Sequence, residues 1–157
     1  MRMSEGVEWA AHVCLLLDWL DDGRPVSTAR LAAAHDLPAP YLNKQLQALV
    51  KAGVATSTAG ARGGFRLARP LEKITLMDVV TAIEGPDPAF QCTEIRQRGL
   101  GATAPASMFD SPCQINAAFR RAETAWRRAL AEQTLADIRD QVARAAPDLP
   151  ERYRARV

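Results

Sequence analysis

The sequence predicts a mainly α-helical fold: three helices run into a short two-stranded hairpin, a fourth helix follows, and two more helices close the chain. Two observations carry this prediction. Apolar residues recur at helical spacing through residues 5–53, and the period then drops to two between Val54 and Leu67 before returning to 3.6 at Leu76. Three helices and then a basic hairpin is the order of a winged helix-turn-helix.

The first helix is expected over about Glu5 to Asp21, capped by Ser4 and ended before Gly23, with Val7, Ala10, Ala11, Cys14 and Leu17 as its apolar stripe. Ser27 or Thr28 caps a short second helix that turns Leu31 and Ala34 inward. A tight connection at His35-Asp36-Leu37-Pro38 leads to a third helix starting near Pro40, whose fixed φ suits a first turn, and stopping at Gly53. Val54–Ser57 and Gly64–Leu67 read as strands joined by a glycine-rich turn. The fourth helix lies between Thr75 and Gly85, with Leu76, Val79, Val80 and Ile83 expected to pack under the hairpin. Residues 86–111 show little periodicity, and a loop that long inside a compact chain is usually functional or disordered. Beyond Ser111-Pro112, Ile115, Phe119, Ala122 and Trp126 form one face of a helix. Its own chain offers that face too little partner surface, so it is expected to pack on the same helix of a second subunit. A last helix starts at Thr134, with Asp137 completing its cap, and Pro147 onward reads as a frayed tail. The expected organisation is a winged-helix domain over 1–85, a loop over 86–112, a dimerisation helix and C-terminal helix over 113–146, and a flexible tail over 147–157.

Composition narrows the class further. Twenty Lys and Arg against eighteen Asp and Glu leave a net charge of only +2, so the chain is neither a polycation nor an acidic tail. The charge is unevenly placed: residues 24–73 hold eight basic side chains against Asp36 and Glu72, a net of +6 that a polyanion would see. No apolar run approaches the length of a bilayer span, and Glu5, Glu8, His12 and Asp18 interrupt what would be the apolar stretch of a signal peptide. A cytoplasmic protein without a membrane partner is expected. Three cysteines in such a chain are core filler, reactive thiols or metal ligands rather than a disulfide framework.

On the third helix Leu42, Leu46, Leu49 and Val50 face the core, which leaves Tyr41, Lys44, Gln45, Gln47 and Lys51 outward. Glutamine can pair bidentately with adenine and lysine can reach guanine, while tyrosine can hold a phosphate or a thymine methyl. The same residue types also make an ordinary solvated face. Arg62 at the hairpin tip and Arg66 on the return strand suit a wing that holds phosphate, which favours the reading of double-stranded DNA. His35 reads as a turn or capping residue.

Glu8 and His12, four apart, lie on one face of the first helix, next to Leu15, Leu16 and Trp19, so this face is expected to be buried. Cys14 belongs to the opposite, core stripe. Cys92 and Cys113 bracket the long loop, and Cys113 falls in the first turn of a helix, where amide groups favour a thiolate. Two thiols, an imidazole and a carboxylate would suit zinc or a 2Fe–2S cluster, and a disulfide between the thiols is the redox alternative. Spacing alone leaves these open. No substrate-pocket motif points to an enzyme.

Several strings are similar to the winged-helix regulators of the IscR/NsrR family. They are Leu31-Ala32, Pro40-Tyr41-Leu42, Leu46-Gln47-Ala48-Leu49, Gly63-Gly64-Phe65-Arg66-Leu67-Ala68-Arg69-Pro70 and Ile74-Thr75-Leu76-Met77-Asp78-Val79-Val80. The usual cluster-binding members carry three loop cysteines, whereas this chain has two. Gly6-Val7-Glu8-Trp9-Ala10, Pro86-Asp87-Pro88-Ala89-Phe90 and Cys92-Thr93-Glu94-Ile95-Arg96-Gln97-Arg98-Gly99 resemble the actinobacterial redox-sensing, RsrR-like branch. That resemblance implies a homodimer on a palindromic operator. It also implies a 2Fe–2S cluster held by Glu8 and His12 of one subunit and by Cys92 and Cys113 of the other. A zinc-, thiol- or nitric-oxide-responsive regulator of the same fold is the alternative, and an iron–sulfur electron carrier is the alternative of another class.

Overall fold

The computed structural model describes residues 3–156, which form two compact units. The larger contains the chain up to Pro86 and the stretch from Leu130 onward, and the smaller contains Asp87–Ala129.

In the larger unit α1 (Glu5–Trp19), α2 (Thr28–Ala34) and α3 (Ala39–Lys51) precede an antiparallel hairpin of β1 (Ala55–Thr58) and β2 (Gly64–Leu67), and α4 (Leu76–Glu84) follows. The hairpin register pairs Ala55 with Leu67 and Thr58 with Gly64, so Phe65 turns into the core. Gly64 lies against the Val26 carbonyl, where a Cβ has no room, and this close approach lets Val26 and Phe65 exchange backbone hydrogen bonds. The core is apolar and drawn from every element: Val13, Leu16, Leu31, Leu42, Leu46, Leu49, Val54, Leu71, Ile74 and Val79 are fully buried.

Local signals set most of the boundaries. Ser27 accepts from the Arg30 N–H and caps α2, and Pro40 sits in the first turn of α3. Thr75 and Asp78 form a reciprocal capping box at α4. Ser4 behaves differently from the expected cap: its N–H and hydroxyl both donate to Glu84 Oε1, at 2.8 and 2.6 Å, tying the start of α1 to the end of α4. α4 packs against α1 and α3.

After Leu130 the chain returns to this unit. Leu135 N–H donates to Ile74 O and Leu76 N–H donates to Gln133 O, and this backbone bridge sets a second capping box, Thr134 with Asp137, beside the first. α6 (Leu135–Ala145) then buries Leu135 and Ala136. The expected frayed tail is instead α7 (Leu149–Arg156). Leu149 and Tyr153 pack against the core, the Tyr153 ring stacks on Trp19 with centroids 5.6 Å apart, and Arg154 Nε donates to the Trp19 carbonyl at 2.9 Å. These contacts hold a helix that its polar composition alone would not.

In the smaller unit the irregular stretch compacts into three 3-10 turns, Ile95–Gln97, Gly99–Thr103 and Ala106–Phe109, ahead of α5 (Gln114–Ala131). Gly101 sits on the Arg96 carbonyl, a contact that leaves no space for a side chain. Phe90 stacks on Phe119 of α5 with centroids 4.2 Å apart, and Arg127 joins Glu123 (2.6 Å) to the Asp87 carbonyl (3.0 Å).

Candidate functional site

The outward face of α3 exposes Lys44, Gln47 and Lys51, all in the larger unit. Tyr41 is 47% exposed and meets the Trp9 ring edge-on at 5.2 Å. Arg62 stands exposed in the hairpin loop. Arg66 is exposed on β2 in a 3.2 Å ion pair with Asp21, a solvated pair that a phosphate can displace.

Gln45 departs from expectation. It is 6% exposed and turned inward, with its amide against Gly6 of α1. A Cβ on Gly6 would lie 2.8 Å from Gln45 Cδ, so the glycine is what makes room for the amide. Gln45 therefore cannot present its side chain to a base. The helical periodicity placed Gln45 with the outward set, because spacing along α3 carries no information about the space that Gly6 leaves on α1. Thr28 and Asn43, not singled out in the sequence, join α2 to α3 through a hydrogen bond of 3.3 Å at the edge of this face.

Glu8 and His12 are exposed on α1, although Leu15, Leu16 and Trp19 are buried. In its first turns α1 buries only Gly6 and Ala10, on the face opposite Glu8 and His12, and burial spreads to neighbouring positions only from Val13 to Leu17. Glu8 and His12 line a groove of about 300 Å³ with Trp9, Leu15, Trp19 and His35. His35 is the C-cap of α2, as its position suggested, but its ring also enters this groove. It lies 5.7 Å from the His12 ring, and Nδ1 is 3.4 Å from the Tyr153 hydroxyl. Burial, and then the neighbouring His12, push the His35 pKa down. Among the described residues its Nε2 has no hydrogen-bond partner.

The smaller unit brings Cys92 and Cys113 side by side, although they are 21 positions apart in the chain. Cys113 immediately precedes α5. The Asn116 N–H, and more weakly the Ile115 N–H, Arg96 and the Cys92 thiol, hold its pKa below the ordinary thiol value against the opposing effect of desolvation. Cys92 Sγ accepts from the Glu94 N–H at 3.4 Å. Arg96, which no spacing argument marks, ties the loop together. It grips Glu94 through two nitrogens, donates to the Ser111 carbonyl at 3.2 Å, and lies over the Phe109 ring at 5.6 Å. Glu94 takes a left-handed backbone (φ 51°), which a non-glycine residue adopts only when its surroundings hold it there. Cys14 is fully buried, with its pKa raised to about 12 by desolvation, as a core thiol should be.

Two sulfurs, one imidazole nitrogen and one carboxylate oxygen are donors of the kind a 2Fe–2S cluster takes, and the lowered Cys113 pKa favours the thiolate form of that residue. Glu8 and His12 belong to the larger unit, Cys92 and Cys113 to the smaller. No group of three or more His, Cys, Asp or Glu among the described residues could hold a metal ion. On α5 no residue is buried: Ile115 is 65% and Phe119 50% exposed, Ala122 is exposed and Trp126 half-buried.

A three-helix core, a basic two-stranded wing and a polar outward face on α3 define a winged-helix DNA-binding protein. The chain belongs to the Rrf2 family, described as iron-dependent transcriptional regulators, whose family profile matches residues 3–141. YwgB of Bacillus subtilis, whose name describes an HTH-type transcriptional regulator, is 32% identical over 142 residues, covering 90% of this chain and 86% of YwgB. Protein aau3 of Rhizobium meliloti is 32% identical over 139 residues, covering 88% and 84%. The fold matches that of CymR, the global cysteine regulator of B. subtilis, with a TM-score of 0.65 at 21% identity over 90% of this chain and 98% of CymR. It also matches T. potens IscR, with a TM-score of 0.66 at 21% identity over 93% and 91%. This chain is thus a DNA-binding transcriptional regulator, and no described helix is long and apolar enough to cross a membrane.

Proposed function

We propose that the chain is a homodimeric regulator of the redox-sensing, RsrR-like branch. It reads a palindromic operator with Lys44, Gln47 and Lys51, with Tyr41 at the edge of this face, and uses Arg62 and Arg66 on the phosphates. Glu8 and His12 of one subunit and Cys92 and Cys113 of the other hold a 2Fe–2S cluster, which when bound supplies a reversible one-electron change of charge. The observation that carries this reading is the pairing of Cys92 with a Cys113 thiol already biased toward thiolate. Arg96 adds a positive charge beside both sulfurs. The apolar face of Ile115, Phe119, Ala122 and Trp126 supplies the surface for a second α5. The same cysteine pair supports a second reading, a thiol switch that closes a disulfide without a cluster.

Two inactive variants test the assignment. Glu8→Ala/His12→Ala and Cys92→Ala/Cys113→Ala each lack half of every site as homodimers. In their heterodimer, ligation across the interface leaves one site complete and one empty. The expected result after anaerobic reconstitution is about half the wild-type iron and sulfide, with the visible charge-transfer bands of a cluster. A folded heterodimer that takes up none would sink the bridging assignment. A colourless wild type with a reversible Cys92–Cys113 disulfide would establish the thiol switch instead.

A further inference from the structure

A second cavity, of about 420 Å³, lies in the larger unit between α2 and α7. Arg30 and Ala34 line it from α2, and Leu149, Arg152, Tyr153 and Arg156 from α7. We infer that this cavity is a binding site for a small organic polyanion carrying phosphoryl or carboxylate groups.

Charge is the first argument. Among the described residues, three guanidinium side chains, those of Arg30, Arg152 and Arg156, line one concavity. Arg152 and Arg156 are four apart on α7, so they lie on the same face of the helix. Guanidinium is the group best matched to phosphate and carboxylate oxygens, through two parallel hydrogen bonds. Shape is the second argument. Ala34 and Leu149 give the cavity apolar wall, and its volume falls in the range that accepts a small molecule, about 300–1,000 Å³. Anchoring is the third. Tyr153 is held by Trp19 of α1 and by His35 at the end of α2, and Arg154 is tied to the Trp19 carbonyl, so α7 presents its arginines from a packed helix. The site is independent of the cluster assignment, since it shares no residue with the proposed ligands.

The test uses the full chain. Inorganic pyrophosphate and citrate are titrated by calorimetry and by thermal melting, with sodium chloride at matched ionic strength as the control. A saturable Kd below about 1 mM is expected for at least one probe, and the stronger probe tells phosphoryl from carboxylate. At a hundredfold excess over Kd the melting temperature should rise by about 5–10 °C. Arg152→Gln/Arg156→Gln should melt like wild type without ligand and bind at least tenfold more weakly. Arg152→Lys/Arg156→Lys keeps the charge and should still lose most of the affinity. Binding no stronger than the chloride control, or unchanged in the glutamine variant, would overturn the inference. So would a glutamine variant whose only defect is weaker, less salt-dependent binding to non-cognate duplex, since the arginines would then be DNA phosphate contacts.

Discussion

Gln45 and Gln47 lie on the same helix two residues apart, and the structure gives them opposite roles that substitutions separate. Gln45→Ala removes a methylene and the carboxamide from a buried contact with Gly6 and should cost about 1–2 kcal/mol of stability. Gly6→Ala brings a Cβ within 2.8 Å of Gln45 Cδ, and overpacking of this kind costs about 1–3 kcal/mol, partly offset by the helix preference for alanine. In the double variant the shortened side chain at 45 makes room, so Gly6→Ala becomes neutral or stabilising. The coupling between the two sites should then be about 1–3 kcal/mol. Urea denaturation reads this as shifts of midpoint at constant slope. Gln47→Ala should leave the urea midpoint in place. On an operator selected from random duplexes, it should lose about 5- to 150-fold affinity at one base position, the equivalent of about 1–3 kcal/mol. If Gln45→Ala lost affinity at a single base position with its stability unchanged, the packing argument would be refuted. Additive effects of Gly6→Ala and Gln45→Ala would refute it equally.

Three further outcomes are expected. The two hydrogen bonds from Ser4 hold the Glu84 carboxyl below its ordinary value of 4.5, so their contribution is fully present above that pH and is lost as pH falls through the lower folded value. In Ser4→Ala the Glu84 midpoint followed by NMR should rise, and the stability gap to wild type should close under acid; an unmoved midpoint would remove the linkage. Iodoacetamide at pH 8 should label Cys113 and leave Cys14 untouched until the chain unfolds, because Cys14 is buried with a pKa near 12, and Cys14→Ala should cost only about 1 kcal/mol. Labelling of native Cys14 would contradict its burial. Tyr153→Ala removes the stack on Trp19 and should cost about 1–3 kcal/mol with a change in tryptophan fluorescence, whereas an unchanged melt would mean that α7 adds nothing to the core.

The six longer helices ahead of α7 and the hairpin were legible in the sequence because their signals are local. Ser27, Pro40, Thr75 with Asp78, and Thr134 with Asp137 mark helix starts within a few residues of where they act, and the change of period at Val54 marks the wing. The outward positions of Lys44, Gln47 and Arg62 followed from the same periodicity, as did the burial of Cys14. The features that the sequence did not reveal depend on residues distant in the chain. Gln45 turns inward because Gly6, 39 positions earlier, has no side chain. Cys92 reaches Cys113 because Arg96 and Gly101 fold the intervening loop back on itself, and no periodicity encodes a path of single turns. The polar last residues become α7 because Trp19 and His35 offer rings for Tyr153 to pack on, a gain in burial that helix propensity cannot report.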